Sequence, residues 1–460
     1  MKTKSTYLFL LLITALTLVA CRSNKNKDLT FNDVAPIIHE NCTPCHRPGS
    51  AGPFSLITYS DVLRKAKTIV KVTQSGFMPP WPADPEYTHF VGERLLTTEE
   101  KDILKWWVEA GCPPGDTGSI APLAEFPTGS MIGEPDMVVR FADTVFLKGN
   151  NDDHFFLVKV PFTADQPRYI KTIEFIPGNK KLLHHMNANL IQYQPALKDD
   201  VFGGEKVIPT DLTLTAESVN DRMDNKYDDG TYPDLIPLVC NYLPGVSPAI
   251  YPKGVGGYLM TEKSAFFIND LHYGPSPVDT FDAGSYFNIF FMDSPPERPT
   301  YELLMGSLGE TSIEPRLVIP ANEVKTFTTR YKVQDDMSLL TVNPHMHLLG
   351  KSFIAYALTP PGDTIRLIKL PEWDFRWQYF YTFEKPLKIP AGSVIVAEAT
   401  FDNTTANPNN PNNPPQVIVE RAHPWESMKT TNEMFQFIIT YMQYRPGDEN
   451  MDMKNTAIND

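Results

Sequence analysis

The sequence predicts a multidomain chain in which a small all-α domain precedes a longer all-β unit. Three observations carry this. At 460 residues the chain is too long for one core and suggests about two to four domains. Extended helical patterns are confined to the first 115 residues. With 42 Pro and 26 Gly, the remainder breaks into short strand-like runs between turns. There is no internal repeat of solenoid period.

The first residues bear on the compartment. Lys2 and Lys4 precede an apolar run from Tyr7 to Val19, followed by Leu18-Val19-Ala20-Cys21 at its end. A charged start, a short apolar stretch and small residues before a cut describe an export signal. The run is shorter than the roughly 20 residues a membrane span needs. Cys21 sits where a bacterial lipobox places its lipidated residue, so the expectation is an exported protein, lipid-anchored on the periplasmic or cell-surface side. An ordinary signal with an incidental Cys is the alternative. Formal charge is −14, and removal of Lys2 and Lys4 with the signal takes it to −16. That acidity argues against nucleic acid as a partner.

The α domain is organised around Cys42-Thr43-Pro44-Cys45-His46. C-x-x-C-H is the c-type haem attachment pattern: two thiols add to the haem vinyls and the His coordinates iron. A zinc site would need two further ligands nearby, and a thioredoxin-like pair would need a βαβ setting; neither is present. Thr30 with Asp33 can cap a helix running through Val34, Ile37 and Ile38 into the motif. A second helix follows Ser60, with Val62, Leu63, Ala66, Ile69 and Val70 on one stripe. A third begins at Thr97, with Glu100 as its capping-box partner, and ends at Gly111. Met78, in the Pro-bounded loop Gly76-Phe77-Met78-Pro79-Pro80-Trp81, is the expected sixth ligand to iron; His39 and His89 are the alternatives. Cys112 and Cys240 remain, as a pair or as two separate buried thiols.

In the β half, the runs 136–142, 155–161, 169–176, 266–273, 326–333 and 394–401 are rich in β-formers. The Gly, Pro, Asn and Asp clusters between them suggest a sandwich or jelly roll, and 407–415, nearly all Asn and Pro, reads as an exposed loop. Six residues here could ligate a metal: His184, His185, His272, His345, His347 and Met434. Residues i and i+2 share a strand face, so His345 and His347 make a ready chelate. The adjacent His184 and His185 could serve one metal only on a bulge or at a strand end. Imidazole suits copper, zinc, iron or nickel, while a thioether selects copper; a zinc or structural site is thereby disfavoured.

The order His184-His185, His272-Tyr273-Gly274, His345-x-His347-Leu-x-Gly-Lys, then Glu433-Met434 resembles the copper type II, ascorbate-dependent monooxygenases, the family of peptidylglycine α-hydroxylating and dopamine β-monooxygenases. Pro252-Lys253-Gly254-Val255-Gly256 is similar to that family too, and the resemblance spans about 133–444. It implies two jelly-roll subdomains, each with one copper, facing each other across a solvent-filled cleft. His184, His185 and His272 would form the electron-storing site. His345, His347 and Met434 would form the site where dioxygen binds and a C–H bond is attacked. Two departures stand out. Where peptidylglycine enzymes hold a substrate carboxylate with Arg this chain has Asn343, and the family's Tyr four residues beyond the Met ligand is Ile438. The family's disulfides are also missing, so a glycine-extended peptide is not the expected substrate.

These readings place a signal peptide at 1–21, a tether at 22–28 and a haem domain at 29–118. After a linker at 119–132 come copper subdomains at 133–295 and 313–450, joined by 296–312, and a tail at 451–460. The expected function is a copper monooxygenase acting on a small organic substrate with dioxygen, carrying one covalent haem c and two coppers. Its electrons would come from an ascorbate-like reductant or a redox protein, through its own haem. The alternative is a non-enzymatic copper and haem lipoprotein for electron transfer or sensing.

Overall fold

Three threonine caps start the helices of the N-terminal unit. The computed structural model describes residues 29–116, 118, 129–210, 214–420 and 431–454; the expected export signal, Cys21 and the expected tether lie outside them. α1 (Phe31–Asn41), α2 (Tyr59–Gln74) and α3 (Thr98–Glu109) follow Thr30, Thr58 and Thr97. Each cap answers an acidic residue three positions on. The Thr97 amide donates to Glu100 at 2.7 Å and the Glu100 amide to Thr97 Oγ1 at 3.2 Å, so orphan donors at the helix start are satisfied reciprocally. The second helix starts earlier than the sequence suggests, because Thr58 and Asp61 form the box, with Thr58 N–H donating to Asp61 at 3.1 Å. Its buried stripe is Val62, Ala66, Ile69 and Thr73, whereas Leu63, expected on that stripe, is 43% exposed. The helices pack Phe31, Val34, Ile38, Val62, Leu104 and Trp107 into one core. Trp107 Nε1 donates to the Pro113 carbonyl at 2.9 Å and Tyr59 to the Cys112 carbonyl at 2.9 Å, which ties the chain after α3 back onto that core.

The second unit comprises 127–460 together with 82–93. It is mostly β, and the six strand-like runs of the sequence all fall on strands. One pair of antiparallel sheets has five strands in the order Val207–Pro209, His154–Thr163, Lys263–Tyr273, Leu183–Tyr193, Asp234–Tyr242, and four in the order Met137–Arg140, Tyr286–Phe291, Arg168–Ile176, Tyr258–Met260. Phe266, Ile268 and Leu190 of the former share a core with Phe175, Phe287 and Ile289 of the latter, which makes a sandwich. A second pair repeats the plan. Five strands run Ile313–Glu314, Val324–Lys332, Val394–Asp402, Gly350–Leu358, Thr364–Leu370, and four run Tyr301–Gly306, Gln436–Gln443, Met337–His345, Tyr381–Ile389. Here Phe353 meets Phe435 and Phe437 at 5.8 and 5.5 Å between ring centroids. Tyr301–Gly306 lies in the stretch read as a linker, yet it pairs over its whole length with Gln436–Gln443. The short helix α4 (Ala216–Arg222) interrupts the β unit.

Residues 82–93, which lie between the second and third helices in sequence, pack with the second sandwich. Phe90 is buried between Tyr381 and Phe383, at 5.1 and 5.2 Å. The Val91 amide donates to Thr382 O, and Asp84 pairs with Lys369 through both its amide and its carboxylate, each at 2.8 Å.

The two sandwiches meet on the outer face of the Met337–His345 sheet. Val255 and Tyr251 of the first pack there on Leu340 and Met442 of the second. Tyr251 shares hydrogen bonds with Thr341 and Thr440, and burial pushes the neighbouring Glu302 carboxyl up to about 8. The folded chain therefore keeps a proton on Glu302 between pH 4.5 and 8 that the unfolded chain has released, so stability falls as pH rises through that window. Glu302→Gln should leave thermal stability at pH 5 nearly unchanged and raise it at pH 8 by several degrees, at about 2–4 °C per kcal/mol. Melting curves at the two pH values check this.

Candidate metal centres

Strand irregularities build the first histidine cluster. Leu183 pairs with Tyr273 and His185 with His272, so His184 is the extra residue of a β-bulge. That is the condition under which adjacent histidines can turn toward one point. Ring centroids of His184 and His185 lie 4.7 and 4.8 Å from that of His272. Gly274 makes room for this, since a Cβ there would come within 2.4 Å of His184 Nε2. Phe155 stacks on His272 at 4.1 Å, fixing the plane of its ring.

Hydrogen bonds then decide which nitrogens are free. His185 Nε2 lies 2.9 Å from Asp270 and His272 Nε2 lies 2.8 Å from Asp153. Each carboxylate holds the proton on Nε2, and the Nδ1 atoms of both rings are buried without a hydrogen-bond partner. Buried unpaired nitrogens are costly unless something binds them, and imidazoles oriented by carboxylates are the usual metal ligands. Ligand atoms of Asp153, His184 and His272 also lie within 4.8 Å of one another; because Asp153 already accepts from His272, we assign it the orienting role. Burial, then His272, lowers His184 to about 4. Burial alone would raise Asp270, but His185 beside it brings the carboxyl down to about 2.

The second cluster uses the opposite nitrogens. His345 ends its strand, paired with Gln436, and the His347 ring stands perpendicular to it, 5.2 Å between centroids. His345 Nδ1 lies 2.6 Å from Gln378 Oε1, and His347 Nδ1 lies 3.0 Å from the Asn432 carbonyl. With protons held there, each Nε2 keeps its lone pair. Burial lowers these imidazoles to about 4 and about 3, so both are neutral at ordinary pH. Met434 is 2% exposed and lines one cavity with His345. Its neighbour Glu433 takes the His347 and Leu349 amides at 2.9 and 2.7 Å, clamping the methionine segment to the turn after His347. Two imidazoles and a thioether suit copper.

The six expected ligands thus form two groups, and Phe375 joins them. Its ring lies 5.7 Å from His185, 6.1 Å from His272 and 5.7 Å from His347. This ring stands between the groups, and a cavity of about 240 Å³ is lined by His185 of the first and by His345 and Met434 of the second. The sequence reading missed Asp153, Asp270, Gln378 and Phe375. Asp270 alone carried a signal, two positions from His272 on a strand.

In the helical unit, Cys42, Cys45 and His46 occupy the turn after α1, with neither cysteine in a disulfide. His46 Nδ1 lies 3.1 Å from the Phe54 carbonyl, leaving Nε2 for a ligand such as iron. Gly52 permits this approach: a Cβ there would meet Cys45 O at 2.6 Å and His46 Nδ1 at 2.9 Å. The motif therefore fits haem attachment. Met78 lies in the loop after α2, its amide donating to Val72 O. Of the alternatives, His39 Nε2 is 3.2 Å from Ile57 O, and His89 is an exposed partner of Glu93 in the segment packed with the β unit. Cys112 and Cys240 are buried free thiols, each in the core of its own unit.

No family model and no curated protein matches the chain. A solved structure of the infectious bursal disease virus Gx strain aligns with 72% of this chain and 86% of its own, at 9% identity and a TM-score of 0.13, a likeness too low to carry an argument.

The two clusters should respond separately to substitution. Asp270→Ala should weaken one copper equivalent by about ten- to a hundredfold, and Met434→Ala should weaken the other, neither altering the haem spectrum. Competition with a Cu(I) chelator, read beside the haem absorbance, checks both expectations.

Proposed function

We propose that this chain is an exported, lipid-anchored copper monooxygenase that hydroxylates a C–H bond of a small organic substrate. The reaction consumes dioxygen, two electrons and two protons and yields the alcohol and water. The observation that carries the reading is the pair of pre-oriented imidazole sets around Phe375, one offering the Nδ1 atoms of His185 and His272, the other Nε2 atoms beside a thioether. Copper held there supplies one-electron redox chemistry and, on the thioether side, reactivity of the reduced ion toward dioxygen.

The chain's own residues do the rest. Asp270 and Asp153 keep protons on the outward nitrogens of His185 and His272, and Gln378 and the Asn432 carbonyl do so for His345 and His347. The cavity beside His345 and Met434 receives the substrate. Cys42, Cys45, His46 and Met78 are the residues that would hold a haem, which would supply one-electron redox chemistry to the helical unit.

A non-enzymatic electron-transfer or sensing role is favoured by Asn343 and Ile438, which stand where related peptidylglycine enzymes carry Arg and Tyr. Metal analysis of protein matured with haem and copper separates the readings first: one haem and two coppers per chain are expected. Reduced protein should then consume oxygen with hydroxylated product, and Cys42→Ser/Cys45→Ser should slow turnover at least tenfold with the external donor. Haem without copper, or reversible reduction with no product from a broad substrate panel, would leave only the carrier role. Full turnover in the haem-free variant would remove the haem from the electron path.

A further inference from the structure

The cavity beside the second cluster is lined by both sandwiches; carboxamides predominate on the first, beside Pro237, Leu238 and Phe267, and apolar side chains on the second, beside Asn343, Gln378 and Gln436. We infer that it takes an uncharged small molecule whose head donates a hydrogen bond, as an amide or hydroxyl does, and whose tail is aliphatic. The head faces the first sandwich and the tail the second. This rests on the monooxygenase reading and narrows its substrate.

The first sandwich supplies carboxamides. Asn241 Nδ2 donates to Asn187 Oδ1 at 2.7 Å, so the two side chains act as one polar surface. Asn269 is the extra residue of a second bulge, between Ile268, which pairs with Ala188, and Asp270, which pairs with Asn187. Its Oδ1 is buried without a hydrogen-bond partner, and a buried acceptor in that state favours any ligand that brings a donor. The second sandwich supplies Leu304, Leu308 and Ile438, next to His345 and Met434. An aliphatic tail there is presented to the centre at which a C–H bond is attacked.

Charge excludes the alternatives. No Lys or Arg is among the described lining residues, and Asp270, the acidic one among them, is engaged by His185. Asn343 is turned away from the ligand role an Arg would have, donating instead to the Tyr379 carbonyl at 2.8 Å. A carboxylate or phosphate would find no Lys or Arg to pair with there, leaving the metal ions as its only counter-charges, and a charge buried without a paired side chain is unfavourable. A cationic head would face neutral carboxamides and the metal-bearing imidazoles.

The test is calorimetric titration of the full chain, loaded with haem and copper, using hexanamide, hexanoate and hexylamine. Hexanamide should bind at least tenfold more tightly than either ion. Asn269→Leu should lose tenfold or more of the hexanamide affinity at unchanged copper content. Asn269→Asp, nearly the same shape but charged, should reverse the order in favour of hexylamine. Hexanoate binding as tightly as hexanamide, no binding of any of the three, or wild-type hexanamide affinity in Asn269→Leu would each overturn the proposal. Product analysis keeps the two readings apart: hexanamide that binds with this pattern while neither it nor a panel of related amides and alcohols is hydroxylated supports the ligand class and sinks the monooxygenase assignment.

Discussion

A histidine ring can hold a metal only through a nitrogen that carries no proton, so an oxygen atom elsewhere must keep the proton on the other side. In the β unit this constraint sets the positions of Asp153, Asp270, Gln378 and the Asn432 carbonyl, one for each of four imidazoles. The choice of nitrogen differs between the clusters, because carboxylates reach Nε2 in the first and neutral oxygens reach Nδ1 in the second. Burial lowers His272, His345 and His347, and the carboxyls of Asp270 and Asp153 stay low because imidazoles face them. The strands and the clamp of Glu433 hold those contacts in place, and the glycine at 274 leaves room for the His184 ring beside them.

Regular strands could not have done this. His184 and Asn269 are extra residues on bulges, and the Met337–His345 strand shifts register between Leu339 and Thr341. Between the last two strands of the five-stranded sheet the register slips again. There Leu238 adopts a left-handed backbone at φ 51°, with its amide held by Asn189 Oδ1 at 2.9 Å. A bulky residue in that conformation is strained, and Leu238 lines the cavity. Several irregularities of the sheets therefore fall where side chains are re-aimed toward the clusters and the cavity, while others, at Phe290/Phe291 and Ala355/Tyr356, lie away from them.

Much of this was legible in the chain. Cap spacings gave the first and third helices because a capping box is a local interaction between residues three apart, the apolar stripe gave the second, and β-rich runs between turns gave the strands. The histidine doublet could be read as requiring a bulge, since pleating alone would send its two rings to opposite faces. What the chain does not display are partners brought in from far away. Asp153 is 119 positions from His272, and Gln378 is 33 from His345. Phe375 has no periodicity to mark it. Residues 82–93 were read with the helices around them because nothing in their composition announces that Phe90 belongs between Tyr381 and Phe383.

That excursion bears on how the protein could be taken apart. The chain passes between its two units after Trp81, after Glu93 and again near Phe126, so no single cut between them yields two intact pieces. A truncation that begins after residue 118 would strip Phe90 from the second sandwich and leave Tyr381 and Phe383 with a bare apolar face. A helical fragment ending at residue 118 would carry Phe90 exposed on a loop. Dissecting the protein cleanly calls for splicing: a short bridge from Trp81 to Arg94 in one half, and residues 82–93 supplied as a separate peptide to the other.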